Sequence, residues 1–175
     1  MKEVLVVIDM QVDFVSGSLG TKEAQEMIED CAQFIKNYPH SILVTMDTHQ
    51  ENYLSSNEGK HLPVVHCVKG SPGWNLDPRI QEALHFKEYE VIEKGQFGSL
   101  ELVKKLEDLA PEKISLIGIC TDICVISNAL ILKAAFPEIE IEVLASFTSA
   151  TSPKMKDESL ELMKINQITI KEKQS

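Results

Sequence analysis

The 175-residue chain contains no apolar run near the roughly 18 residues that a membrane span requires. It has neither a G-x-G-x-x-G nor a G-x-x-x-x-G-K-[ST] stretch, so the common glycine-rich nucleotide cradles are missing. Basic residues are scarce: 17 Lys+Arg stand against 27 Asp+Glu, a formal charge of −10. That balance argues against a nucleic-acid partner and against an anionic membrane surface, both of which need clustered Lys and Arg. Cysteines are also few. Cys31, Cys67, Cys120 and Cys124 are unevenly spaced and include no C-x-x-C pair, which disfavours a disulfide framework or a zinc finger. No Gly/Ser linker, repeat or low-complexity tract divides the chain. Its length and 43% hydrophobic content are ample for one packed core and too high for a disordered chain.

What is present is an alternation of short β-rich runs with helical patterns. Glu3–Ile8, Ser41–Met46, Tyr89–Ile92, Ile114–Ile119, Glu140–Leu144 and Gln167–Ile170 read as strands. Between them, Glu23–Ile35, Leu100–Leu109, Thr121–Ala135 and Lys156–Lys164 carry apolar residues at helical spacing. The segment Thr121–Ala135 is apolar nearly all round, which predicts burial on more than one side. The alternation implies right-handed βαβ crossovers and a mainly parallel, doubly wound sheet of five to six strands. The expected architecture is a three-layer α/β/α sandwich in a single domain over 1–175. The N-terminal run Val4–Ile8 is too short for a signal-peptide core and meets an acid at Asp9, so it reads as the first strand of a cytoplasmic protein.

One connection, from Asp47 to about Pro78, has little periodicity. A loop of that length in a compact domain is usually functional or disordered. It carries Trp74 and three of the five histidines, which favours function.

Ligands of open parallel sheets bind beyond the carboxyl ends of the strands. The residues that follow the first four strands are therefore informative. They are Asp9 and Asp13, then Asp47-Thr48-His49, then Lys94, then Cys120-Thr121-Asp122-Ile123-Cys124. Cys124 falls in the first turn of a helix, where unpaired N–H groups favour a thiolate and can stabilise an oxyanion. The plainer reading is a buried, inert cysteine in an apolar helix. Asp9 ends an apolar strand, where a carboxylate must be paired, and beside Cys124 it suits a proton acceptor that later serves as donor. Lys94 suits a cation that holds Asp9 ionised, or else a solvated strand-end lysine. Asp13, deeper in the turn, suits a structural acid bonded to backbone N–H groups. In the long loop, Asp47, His49, Glu58 and a later histidine (His61 or His66) form a mixed N/O set suited to Zn²⁺, Mn²⁺ or Fe²⁺.

Two motifs carry a family resemblance. Val7-Ile8-Asp9-Met10-Gln11-Val12-Asp13-Phe14 resembles the opening motif of the isochorismatase-like cysteine hydrolases. Gly118-Ile119-Cys120-Thr121-Asp122-Ile123-Cys124-Val125 resembles their G-x-x-T-D-x-C-V nucleophile turn. Within the family, Asp47-x-His49 and His66-Cys67-Val68-Lys69-Gly70 are similar to the metal-binding nicotinamidases, also called pyrazinamidases. The resemblance implies a catalytic triad of Asp9, Lys94 and Cys124. It also implies one divalent metal ion held by Asp47, His49 and His66, with Glu58 rather than His61 as the further ligand. It implies a cis peptide between Ile119 and Cys120 and an oxyanion hole of the Cys120 and Cys124 N–H groups. Many relatives stack an aromatic residue on the substrate ring at the position held here by Pro63. Phe14, Phe97 and Trp74 are the aromatic candidates that replace it. The implied activity is deamidation of nicotinamide or a similar small-molecule amide. Alternatives are another amide, a carbamoyl compound or an isochorismate-like ether. A non-catalytic redox module using Cys120 and Cys124 is a more distant one. A homo-oligomer is plausible for a small acidic α/β enzyme.

Overall fold

The computed structural model describes residues 2–172. Six parallel strands form one sheet in the order β3-β2-β1-β4-β5-β6, with β1 Glu3–Ile8, β2 Ser41–Asp47, β3 Tyr89–Lys94, β4 Lys113–Ile119, β5 Glu140–Ser149 and β6 Thr169–Lys171. Strand β1 shows why both faces are covered. Leu5 and Val7 join a core with Ile28, Ile35, Ile80 and Leu84, whereas Val4, Val6 and Ile8 join a second core with Leu102, Leu106, Ala129, Leu132 and Met163. Alternate residues of a strand point to opposite faces, so a continuous apolar run is what a two-sided burial demands. Helices α2 (Lys22–Asn37) and α4 (Pro78–Leu84) supply the first layer. Helices α5 (Leu100–Leu109), α6 (Ile126–Ala135) and α7 (Pro153–Ile165) supply the other. The short helices α1 (Val12–Val15) and α3 (Asn57–His61) lie in the connections. Among the described residues no helix is long and apolar enough to cross a membrane.

The α/β/α architecture agrees with the sequence expectation; several details differ. Helix α4 was not expected, although Asp77-Pro78 announces it. The Asp77 carboxylate accepts from the Arg79 N–H at 3.0 Å, and proline at the first helical position has no N–H there to leave unpaired. Strand β6 begins at Thr169 rather than Gln167, because Gln167 adopts φ 64° and completes the turn that ends α7. The helical stretch after β4 is buried on one face only. Thr121, Cys124, Val125, Asn128, Ala129 and Leu132 are buried, whereas Leu130 is exposed. The long loop is also more ordered than its lack of periodicity suggests. It contains turns at Tyr53–Ser55 and Pro72–Trp74 besides α3, and the Tyr53 hydroxyl donates to the Leu62 carbonyl at 2.8 Å.

The strand order reverses between β1 and β4, and chain crossovers leave in opposite directions from that point. A crevice therefore opens beyond their carboxyl ends. Gly118 makes this approach close: it has φ 134°, and a Cβ there would lie 2.1 Å from the Ile8 carbonyl oxygen. Asp9 and the turn after β4 are consequently side by side.

Candidate active site

Asp9 leaves β1 with φ 47° and is fully buried. The Thr45 hydroxyl donates to its Oδ1 at 2.7 Å, and Lys94 Nζ lies 2.6 Å from its Oδ2. Lys94, only 5% exposed, also donates to the Gln96 carbonyl at 3.0 Å and to Cys124 Sγ at 3.6 Å, and lies 3.7 Å from Asp47 Oδ1. One ammonium at the end of β3 thus joins a carboxylate after β1, another at the end of β2 and a sulfur in the turn after β4. This is the compensation that buried charges require.

Cys124 is 4% exposed and belongs to a π-helical turn, Thr121–Val125, that runs into α6. Burial pushes its thiol well above the usual range, and the Asp9 carboxylate pushes the same way against the pull of Lys94. Removal from water thus opposes the helix end and Lys94, which favour the thiolate. Burial likewise raises Asp9, with Lys94 opposing it and Asp47 adding to it. Burial would lower Lys94, but Asp9, Cys124 and Asp47 outweigh that cost and keep it protonated. A proton acceptor and a thiol whose pKa values are both raised by burial, side by side, suit reversible proton transfer. The peptide between Ile119 and Cys120 is cis, and Cys120 lines the same cavity as Cys124.

The structure also brings Asp47, His49, Glu58 and His66 together, with one ligand atom from each within 4.8 Å of all the others. Asp47 Oδ2 lies 2.9 Å from His49 Nε2 and 3.4 Å from His66 Nε2, and Glu58 Oε1 lies 3.5 and 3.6 Å from the same nitrogens. His61 is elsewhere: exposed, with Nδ1 on the Asn57 carbonyl at 2.8 Å. Burial alone would raise Asp47, but hydrogen bonds from His49 and His66 and the charge of Lys94 hold it below the usual carboxylate range. Burial and Asp47 raise Glu58. His66 is raised as well, because Asp47, the Val64 carbonyl and Glu58 outweigh its burial. Two carboxylates and two imidazoles converging in a buried space form a donor set that fits a divalent cation. His66 Nδ1 is already committed to the Val64 carbonyl at 2.7 Å, which leaves Nε2 to face the cluster.

A cavity of about 380 Å³ connects these two groups, with Phe14, Leu62, Phe97, Ile123, Thr151 and Thr21 on its walls and Asp47, Glu58, His66, Cys120 and Cys124 at its base. Phe14 meets His66 edge-on at 5.6 Å between ring centroids. Phe97, 41% exposed, stands at the rim. Trp74, the third aromatic candidate, does not line the cavity. Its indole N–H donates to the Thr48 hydroxyl at 3.0 Å and its ring lies beneath Lys69, so it is occupied with the loop itself. Asp13 Oδ2 accepts from the Cys67 N–H at 2.8 Å and pins the loop. A Cβ at Gly73 would sit 2.2 Å from Asp13 Oδ2, so any larger residue there would displace this carboxylate.

Two supporting residues escaped the sequence reading. Thr45 orients Asp9, as described. Gln11 donates from Nε2 to the Asp47 and Trp74 carbonyls and accepts from the Asp47 N–H, each at 2.8 Å, which fixes the exit of β2. The available signals were a hydroxyl interrupting the apolar run Ile42–Met46 and a glutamine between two motif acids.

The family profile described as an isochorismatase domain matches residues 3–172. The nicotinamidase of Saccharomyces cerevisiae is 24% identical over 216 aligned residues, covering 97% of this chain and 99% of its own. An uncharacterized isochorismatase family protein, PncA, of Bacillus subtilis is 32% identical over 144 residues, covering 74% of this chain and 78% of its own. The solved pyrazinamidase of Pyrococcus horikoshii in complex with zinc superposes with a TM-score of 0.82 at 26% identity, covering 98% of this chain and 99% of its own.

Proposed function

The chain belongs to the isochorismatase family, and from that premise we propose that it deamidates nicotinamide, or a close heteroaromatic amide, to the acid and ammonia. The reading rests on one observation above all: Lys94 lies 2.6 Å from Asp9 and 3.6 Å from Cys124, and Cys124 lines one largely apolar cavity together with Asp47, Glu58 and His66 of the four-donor cluster. The nicotinamidase and pyrazinamidase named above support it, as does the zinc in the latter. Asp47, His49, Glu58 and His66 would hold the cation, and Zn²⁺, Mn²⁺ and Fe²⁺ all suit these donors. When bound, it supplies a coordination point for a ring nitrogen, directly or through water.

Phe14 and Phe97 take the faces or edges of the ring, so that the carboxamide carbon lies toward Cys124. Asp9 accepts the thiol proton as the sulfur–carbon bond forms. The developing oxyanion rests on the Cys120 and Cys124 N–H groups. Asp9 returns the proton to the departing nitrogen, and ammonia leaves a thioester. Asp9 then takes a proton from water as its oxygen attacks the thioester. The acid departs, and the proton goes back to sulfur. Lys94 stays protonated throughout and offsets the negative charge shared by Asp9 and the sulfur. The redox alternative has less support: Cys120 and Cys124 are unbonded, and burial pushes the Cys120 thiol up to about 12, away from the reactive thiolate that an exchanging partner requires.

The test is ammonia release from nicotinamide, pyrazinamide and a panel of aliphatic amides and carbamoyl compounds, by metal-loaded protein with and without chelator. Heteroaromatic amides are expected to react fastest, and only with metal. Faster release from an aliphatic or carbamoyl substrate would move the assignment to another amidohydrolase of this family.

A further inference from the structure

Asn128 takes no part in the chemistry above, yet it is fully buried, one helical turn beyond Cys124. A primary amide inside an apolar helix is costly unless its donors and acceptor are met. Its Nδ2 donates to the Cys124 carbonyl at 2.8 Å and to the Phe97 carbonyl at 3.0 Å, and its Oδ1 accepts from the Ser99 N–H at 3.0 Å. Both donors of one nitrogen are thereby divided between the nucleophile turn and the residue that forms the cavity rim.

The segment it grips has no regular structure of its own. Gly95–Ser99 links β3 to α5 as a series of bends. Lys94 Nζ holds its near end through the Gln96 carbonyl, and the Ser99 hydroxyl caps α5 at its far end by accepting from Leu102 N–H. Between those anchors, the two bonds from Asn128 are the side-chain restraints on the backbone that carries Phe97.

We propose that Asn128 is a positioning residue that sets substrate selectivity: it locks the Phe97 wall to the Cys124 turn, so the cavity favours flat heteroaromatic amides over aliphatic ones. This rests on the reading of the cavity as the amide site. The effect passes through Phe97, so it belongs to substrate binding more than to the chemical step.

Two substitutions separate the bonds. Asn128→Ser leaves a hydroxyl that back-bonds to the carbonyl four residues earlier, that of Cys124, while releasing Phe97 and Ser99. Asn128→Ala releases all three. With metal-loaded protein, each is expected to raise KM for nicotinamide by about 10-fold, to change kcat by less than about 3-fold, and to lower the preference for nicotinamide over propionamide by about 10-fold. Phe97→Ala should do the same, and adding Asn128→Ser to Phe97→Ala should raise KM no further, because both act through one wall. A role confined to stability would leave KM unchanged and lower only the melting temperature. KM effects that multiply in the double variant, or an unchanged KM, would overturn the inference while the wild type remains active. Failure of the wild type to release ammonia from any amide would overturn the proposed function, and this inference with it.

Discussion

Replacing Lys94 with methionine removes the one charge that links both halves of the site and retains most of the side chain's length. Asp9 and Asp47, both essentially buried, then lose their shared cation at 2.6 and 3.7 Å. Breaking a buried ion pair from one side costs about 3–5 kcal/mol, because the remaining charge stays unpaired in a medium that solvates it poorly. For a chain of this length that corresponds to a fall in melting temperature of about 10 °C. The loss has a predictable pH dependence. Lys94 is the principal influence holding Asp9 down against burial, so without it the folded-state pKa of Asp9 rises further above the ordinary 3.8. An acid raised by folding contributes stability that is complete below its unfolded pKa and is lost as pH rises through the folded value. The deficit of Lys94→Met should therefore widen as pH rises above the ordinary carboxylate value of 3.8 toward neutrality. Urea unfolding of the metal-free protein across that range measures it. Adding Asp9→Asn removes the stranded carboxylate, so the double variant should recover more than half of the loss. A single variant within about 0.5 kcal/mol of wild type at pH 7, the range of an ordinary surface change, would refute the burial argument.

Other outcomes follow from the same geometry. Thr45→Val keeps the shape of the side chain but removes the 2.7 Å bond to Asp9; it should lower kcat by about 10-fold with little change in KM, measured by steady-state ammonia release. His66→Ala removes one of four donors and should reduce zinc binding, seen in calorimetric titration and in a smaller rise of melting temperature on adding zinc; full retention of that rise would remove His66 from the metal site. Cys31, whose thiol burial and Asp30 push up to about 12 from an ordinary 9.0, should contribute stability that is complete below pH 9 and is lost toward pH 12, so Cys31→Ala should reduce the alkaline slope of unfolding free energy by about 1.4 kcal/mol per pH unit.

Much of the site was legible because polar residues at strand ends stand out against apolar runs. Asp9, Asp47 and Cys124 follow strongly apolar strand patterns and Lys94 a weaker one, and a parallel sheet gathers such ends on one rim. Helix α5 was readable to the residue because Ser99 caps it and its apolar stripe is regular. The metal-loop geometry was only partly legible: spacing alone left Glu58 and His61 open, and α3 places Glu58 inward and His61 outward. Trp74 shows the limit of composition, since an aromatic residue in a site loop can serve the loop rather than the ligand. Thr45, Gln11 and Asn128 were missed for a shared reason. Each is a neutral polar residue whose importance lies in which distant backbone or carboxylate it meets, and chain spacing does not encode that meeting.

The most direct test of the account is acid-quench mass spectrometry of metal-loaded protein during nicotinamide turnover. The account predicts a nicotinoyl adduct on the peptide containing Cys124, absent from Cys124→Ala, which should also release no ammonia above background. Undiminished ammonia release by Cys124→Ala, or an adduct carried by Cys120 instead, would contradict it.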